Sequence, residues 1–343
     1  MRRLAAVPIL LAVALLAPTA RAADGPVVAV LDSGVDVGHR ALERHLWTNP
    51  GEIPGNGIDD DGNGFVDDVH GADVADGDGN PSDPRGHGTH VAGLVARQGA
   101  RRGAGRRPGA GRRPGAGHRP GAPRRPAGRR AGAGRRAAAR RLGAPTGARI
   151  MAVRVLDRSG TGTSAVLARG IDYATRGGAR IINLSVAYYG DDAAVRAALQ
   201  RAADSGVLVV AAAGNGGENL DREPVYPASY RVQNMIVAAA STRGGRLAPW
   251  SARGSQTVDL LAPGVRIRSA LPRDRYGRKS GTSQSAALVS RAAAVILARD
   301  PARTAAAVRD ALVGATRSAA GPSETSVAGG MLDLGAALRR LLP

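Results

Sequence analysis

Short, unbroken apolar runs recur along this chain, each closing on small or polar residues, and stretches of helical spacing lie between them. Val27 to Leu31 in PVVAVLDSGVD is one such run, and ARIMAVRVLD from Ala148, ARIINLSVAYYG from Ala179 and GVLVVAAAGNGG from Gly206 repeat the theme. Runs with no polar alternation are what strands buried on both faces require, as in a parallel sheet. Helical patterns follow from Val91 onward, over Thr161 to Thr175, over Asp191 to Ser205 and through SQSAALVSRAAAVILARD from Ser283. This alternation predicts an α/β fold: a three-layer sandwich with a mostly parallel central sheet and helices on both faces.

Two stretches fall outside that pattern. Met1-Arg2-Arg3, an apolar stretch from Leu4 to Ala17 and Ala20-Arg21-Ala22 read as a signal peptide over residues 1–22, too short for an ordinary membrane span. Cleavage after Ala22 predicts a secreted or periplasmic protein with no membrane span left in it; the mature chain, 23–343, is expected to form one domain and to work as a monomer. The second stretch, 97–147, repeats RRPGAG with variations and holds no acidic residue, so it reads as a disordered insertion. Sixteen arginines between Arg97 and Arg141 leave about +4 of the net charge of +20 to the rest of the chain. The basic character is therefore local. It fits a polyanion-binding tether, a neutral expansion of GC-rich coding sequence or a local frameshift. With no aromatic residue between the arginines, specific nucleic-acid recognition is not expected.

The chain has no cysteine, which excludes disulfides and thiolate metal sites. Oxygen ligands are dense in NGIDDDGNGFVDD. Asp59, Asp61 and Asn63 alternate, Gly64 permits a turn and Asp67 takes the ninth position of an EF-hand-type loop, although His70 stands where the bidentate glutamate belongs. A structural calcium ion on Asp59, Asp61, Asn63 and Asp67 is the expectation, with a solvated acidic turn as the alternative. Asp76, Asp78, Asn80 and Asp83 form a weaker second cluster.

Four residues stand where strands or helices end. Asp32 closes the first apolar run, where open α/β sheets carry their chemistry. His87 falls in the first turn of a helix, whose positive end favours a neutral, proton-accepting imidazole. His90, one turn on, reads as packed into the helix interface. Asn215 closes the run from Gly206, and Ser283 opens an Ala-rich helix. Taken singly, each has an ordinary structural explanation: a turn aspartate, a structural histidine, an asparagine in a left-handed turn, an N-cap serine.

Together, in the order Asp32, His87, Asn215, Ser283, their contexts VAVLDSGVD, GHGTHVAG, VVAAAGN and SGTSQSA resemble the subtilisin-like serine proteases. RIMAVRVLD, INLS, YPAS, LLAPGV and GGMLDLGAAL extend the resemblance over nearly all of the mature chain outside the arginine-rich stretch. It implies a serine endopeptidase acting on extended polypeptides through an acyl-enzyme, with Ser283 as nucleophile, His87 as base, Asp32 orienting the imidazole and Asn215 in the oxyanion hole. The substrate strand would lie along Ser185, Val186 and Ala187 and beside Ala212, Ala213 and Gly214. A catalytically inactive relative acting as a binding protein, or polyanion binding through the arginines, are the alternatives. The chain departs from the family at Gln284, where methionine is usual, at Ala287 in place of proline and at Ala187-Tyr188 in place of a glycine pair. So little separates Ala22 from the first strand that the usual inhibitory propeptide is not expected.

Overall fold

The computed structural model describes residues 25–96, 146–319 and 325–341. The signal peptide and all but the last two residues of the arginine-rich stretch lie outside the described residues. Thr146 and Gly147 already belong to the fold, since Thr146 is buried and its hydroxyl accepts from the Ala148 amide.

The apolar runs are strands. β1 (Val27–Asp32), β2 (Gly71–Asp73), β3 (Arg149–Arg154), β4 (Ile181–Leu184), β5 (Leu208–Ala212), β6 (Met235–Ser241) and β7 (Leu260–Pro263) form the parallel body of one sheet. After the hairpin β8 (Ile267–Leu271) and β9 (Arg275–Lys279), the short β10 (Arg317–Ser318) and β11 (Gly330–Met331) complete it, in the order β10-β11-β7-β6-β5-β4-β1-β3-β2. Only β10 runs antiparallel to its neighbour.

Successive strand residues point to opposite faces, so each strand feeds two cores. Val28, Val30, Ile150, Ala152, Leu208 and Val210 pack on one face, and their neighbours Ala29, Leu31, Met151, Val153, Val209 and Ala211 on the other. The first face is covered by α1 (His87–Ala96), α4 (Thr282–Arg299), α5 (Ala305–Val313) and α6 (Leu334–Leu341), the second by α2 (Ser164–Arg176) and α3 (Ala193–Asp204). This is the expected three-layer sandwich. The helix α4 is buried around nearly its whole circumference, which fits a sequence of apolar and small residues with only Gln284 and Arg291 as large polar groups inside it.

Local signals set the helix starts. Thr163, Asp192 and Thr304 cap α2, α3 and α5 by accepting the amides of Val166, of Ala194 and Val195, and of Ala307. The strand expected through ARIINLSVAYYG is shorter than its sequence suggests. Pairing with β1 and β5 ends at Leu184, and Ser185 to Ala187 instead edge a cleft.

Candidate active site

β1 pairs with β3 on one side and with β4 on the other, so the chain reverses its direction of travel across the sheet beside β1. In an open parallel sheet that reversal leaves a crevice at the carboxyl ends of the strands. Asp32 ends β1, Ser185 follows β4, Gly214 and Asn215 follow β5, and the first turns of α1 and α4 enter at the same edge. They surround a cleft of about 600 Å³ lined by His87, Ser185, Asn215, Thr282 and Ser283.

The Asp32 carboxylate is fully buried. It accepts the Ser33 amide at 2.7 Å and the His87 Nδ1–H at 2.7 and 2.9 Å. That partner places the ring proton on Nδ1 and leaves Nε2 as an acceptor. Gly88 lets α1 approach, because a Cβ there would lie 2.0 Å from the Gly34 carbonyl oxygen. The charge of Asp32 pushes the His87 pKa up, against burial, which pushes it down. The Asp32 carboxylate, a full charge in hydrogen-bond contact, thus acts against the neutral form that a helix terminus favours.

Asp83 is the brace that sequence reasoning missed. Assigned to an acidic cluster, it instead accepts the Ser33 hydroxyl and the amides of Arg85 and Gly86 on one oxygen, and the Thr89 amide and hydroxyl on the other. It ties the start of α1 to the end of β1. Its place four residues before His87 at a helix start was the available signal. Asp76, from the same predicted cluster, pairs with Arg154, and among the described residues the carboxylates of that cluster form no group close enough to share an ion. His90 is packed as expected, with one ring nitrogen on the Ile267 carbonyl, and burial lowers its pKa to about 4.

Ser283 is not an N-cap. Gly281 takes that position without a side-chain cap, and Ser283 lies inside the first turn of α4, where amides have no intrahelical partner. The hydroxyl donates to the Ser185 carbonyl at 3.5 Å rather than to His87, although both line the cleft. The Asn215 side-chain oxygen accepts the Thr282 amide at 2.9 Å and its hydroxyl at 3.2 Å, and that hydroxyl accepts the Gly214 amide. With its oxygen so held, Asn215 lines the cleft. Of the expected substrate strand, Ser185, Val186, Ala187, Ala212 and Gly214 line the cleft, whereas Ala213 is buried in the core.

The acidic loop is redrawn. Asp67 spends both oxygens on the amides of Gly55 and Gly57, and Asp59 spends its own on those of Asn63 and Gly64. Asn63 accepts the Phe65 amide and donates to Asp68. Of the four expected ligands only Asp61 meets other carboxylates, those of Glu52 and Asp68, with ligand oxygens within 4.8 Å of one another. Glu52 is 8% exposed, and its Oε2 has no hydrogen-bond partner. Burial pushes the Asp68 pKa up, while Tyr173, Asn49 and Asn63 donate to it. Three carboxylates, one with an orphaned buried oxygen, suit a hard cation that takes oxygen ligands. Nothing in the local spacing marked Glu52, which reaches the group from outside the repeat.

The sequence profile of the subtilase family matches residues 23–330. Subtilisin DY of Bacillus licheniformis is 31% identical over 245 residues, 71% of this chain and 75% of its own length. Subtilisin E of Bacillus subtilis (strain 168) is 31% identical over 287 residues, 83% of this chain, and the match spans 58% of its length. A cold adapted subtilisin-like serine proteinase of solved structure shares the fold, with a TM-score of 0.60 and 24% identity over 91% of this chain and 88% of that one.

Proposed function

The chain belongs to the subtilase family, and from that premise we propose that it is a secreted serine endopeptidase that cleaves extended polypeptides and works as a monomer. Ser283 Oγ attacks the scissile carbonyl carbon as its proton passes to His87 Nε2. The resulting oxyanion is met by the Asn215 NH₂ and the Ser283 amide. Collapse expels the amine, which takes the proton from His87, and water then releases the acyl group by the same path. Asp32 keeps the imidazole in the required tautomer and stabilises its charged form. The observation that carries this reading is the His87–Asp32 pair, opening on the cleft that Ser283 and Asn215 share. A fluorophosphonate probe tests it: the folded protein should be labelled once, and mass mapping should locate the label on Ser283. A folded protein that stays unlabelled would sink the reading.

Asn215→Ala removes one oxyanion donor. A subtilisin itself supplies the scale for that loss, about 10²- to 10³-fold in kcat, so the magnitude is taken over rather than calculated. KM should move little, because the donor acts on charge that appears only in the transition state.

Activity should also follow the charge of His87. Imidazolium cannot accept the serine proton, and Asp32 raises the imidazole pKa, so kcat/KM should climb with pH through a midpoint above the ordinary 6.5. A midpoint below that value would show that burial outweighs Asp32.

We assign a structural calcium to Glu52, Asp61 and Asp68. A ligand bound only by the folded state at a hundredfold excess over its Kd stabilises by about 2.7 kcal/mol, or roughly 4–5 °C in Tm for a domain of this size. Adding calcium should raise Tm, and EDTA should reverse the gain. Glu52→Gln keeps the oxygen that accepts the Asp60 and Asp61 amides and should abolish the calcium response. Calcium-independent melting of the unsubstituted protein would refute the site.

The signal peptide and the arginine-rich stretch remain part of the proposal. Export is consistent with the described residues, none of whose helices is long and apolar enough to cross a membrane. Any contact of the arginines with polyanions would be electrostatic, without sequence preference.

A further inference from the structure

The charges around the cleft are one-sided. Arg85, Arg158 and Lys279 line it, and no carboxylate does. At one end the cleft shares Leu156, Gly160, Val186 and Ala187 with a second cavity of about 410 Å³, lined by no cation and bounded by Asp191 and Asp192. At the other it shares Pro84, Arg85 and Lys279 with a third, also about 410 Å³, which adds Arg273 and Arg275. The three form one trough with its cations at the centre and at a single end.

Among the described residues none of these five cations pairs with an aspartate or glutamate. The one carboxylate lining the third cavity is Asp83, whose oxygens are both occupied in bracing α1. Nearby Asp274 is paired with Arg40, and Asp36 accepts the Arg273 amide. Arg85 is held across the mouth by an uncharged partner, donating to the Arg158 carbonyl at 3.2 Å and packing over Gly160, where a Cβ would meet its Nε at 2.7 Å. Lys279 ends β9, close enough to Ser283 in sequence to share the cleft wall.

A peptide whose acyl side lies along Ser185 to Ala187 and Ala212 to Gly214 leaves the cleft past Ser283 toward Lys279. We propose that this enzyme selects peptides with aspartate or glutamate at the first two positions after the scissile bond, recognised by Lys279 with Arg273 and Arg275 beyond, while Arg85 is held toward the opposite end over Gly160. This rests on the protease reading above and narrows its substrate class.

Three fluorogenic peptides that differ only at those two positions, Glu-Glu, Gln-Gln or Arg-Arg, test it in calcium buffer at low salt. A partly exposed charge pair is worth up to about five-fold, so kcat/KM for Glu-Glu should exceed that for Gln-Gln by roughly ten-fold, with Arg-Arg slowest. The ratio should collapse near roughly 1 M salt, where the Debye length is about 3 Å. It should fall below one in Lys279→Glu and persist in Lys279→Arg. Lys279 is the chain's only lysine, so acetylating the folded enzyme should lower the same ratio without any substitution. Equal rates on Glu-Glu and Gln-Gln, or a preference untouched by salt and by Lys279→Glu, overturn the inference while leaving the protease reading intact. Failure to cleave any of the three, with no fluorophosphonate labelling, overturns both.

Discussion

Ser283→Ala is expected to lower kcat by about 10⁶-fold, the scale known from removing the nucleophile of a subtilisin and borrowed from there. The effect should be confined to chemistry. The Ser283 hydroxyl makes one long hydrogen bond, 3.5 Å to the Ser185 carbonyl, and caps nothing, since Gly281 begins the helix. Its removal therefore strands no buried donor and opens a space no larger than one oxygen. Thermal melting should stay within about 1 °C of the unsubstituted protein, the shift that a surface-scale change of about 0.5 kcal/mol produces. Single-turnover kinetics on a peptide amide, with melting on the same sample, separates lost chemistry from lost fold. A variant retaining even a hundredth of the original kcat would show that another group is the nucleophile.

The second large effect is expected at Asp32→Asn, about 10⁴-fold in kcat by comparison with the same change in other serine proteases. The local bonds say why. Asp32 Oδ1 accepts both the Ser33 amide and the His87 Nδ1–H, and Oδ2 accepts the same ring proton at 2.9 Å. An asparagine that keeps its oxygen on the Ser33 amide turns its NH₂ to Nδ1. The ring then carries its proton on Nε2, where it can no longer accept one from Ser283. The substitution also removes the largest influence raising the His87 pKa and leaves burial to lower it. The acid limb of the residual activity should consequently move to lower pH. Residual activity with an unmoved limb would mean that Asp32 only packs against the histidine.

Much of the candidate site was legible because its pieces are local. An unbroken apolar run ending in Asp32, glycines flanking His87, a strand closing on Asn215 and a Gly-Thr-Ser opening a small-residue helix each describe a backbone geometry that neighbouring residues impose. The carboxylates were less legible because hydrogen bonds redistribute them. Asp67 fits the ninth position of a calcium loop, yet two glycine amides claim it, while Glu52 fits no repeat and keeps a free, buried oxygen. Asp83 looked like a metal ligand and proved to be a brace.

The sequence by itself determined the layers of this protein and the order of its reactive groups, because strand and helix periodicities and chain order are properties of consecutive residues. Only the tertiary structure decided which oxygens converge, which way the His87 pKa moves and which end of the trough is cationic. Those outcomes depend on partners far apart in the chain, such as Asp32 with His87, Asp68 with Tyr173 and Arg85 with Lys279. Electrostatic and hydrogen-bond energies fall off over a few ångströms of space, whatever the separation along the chain.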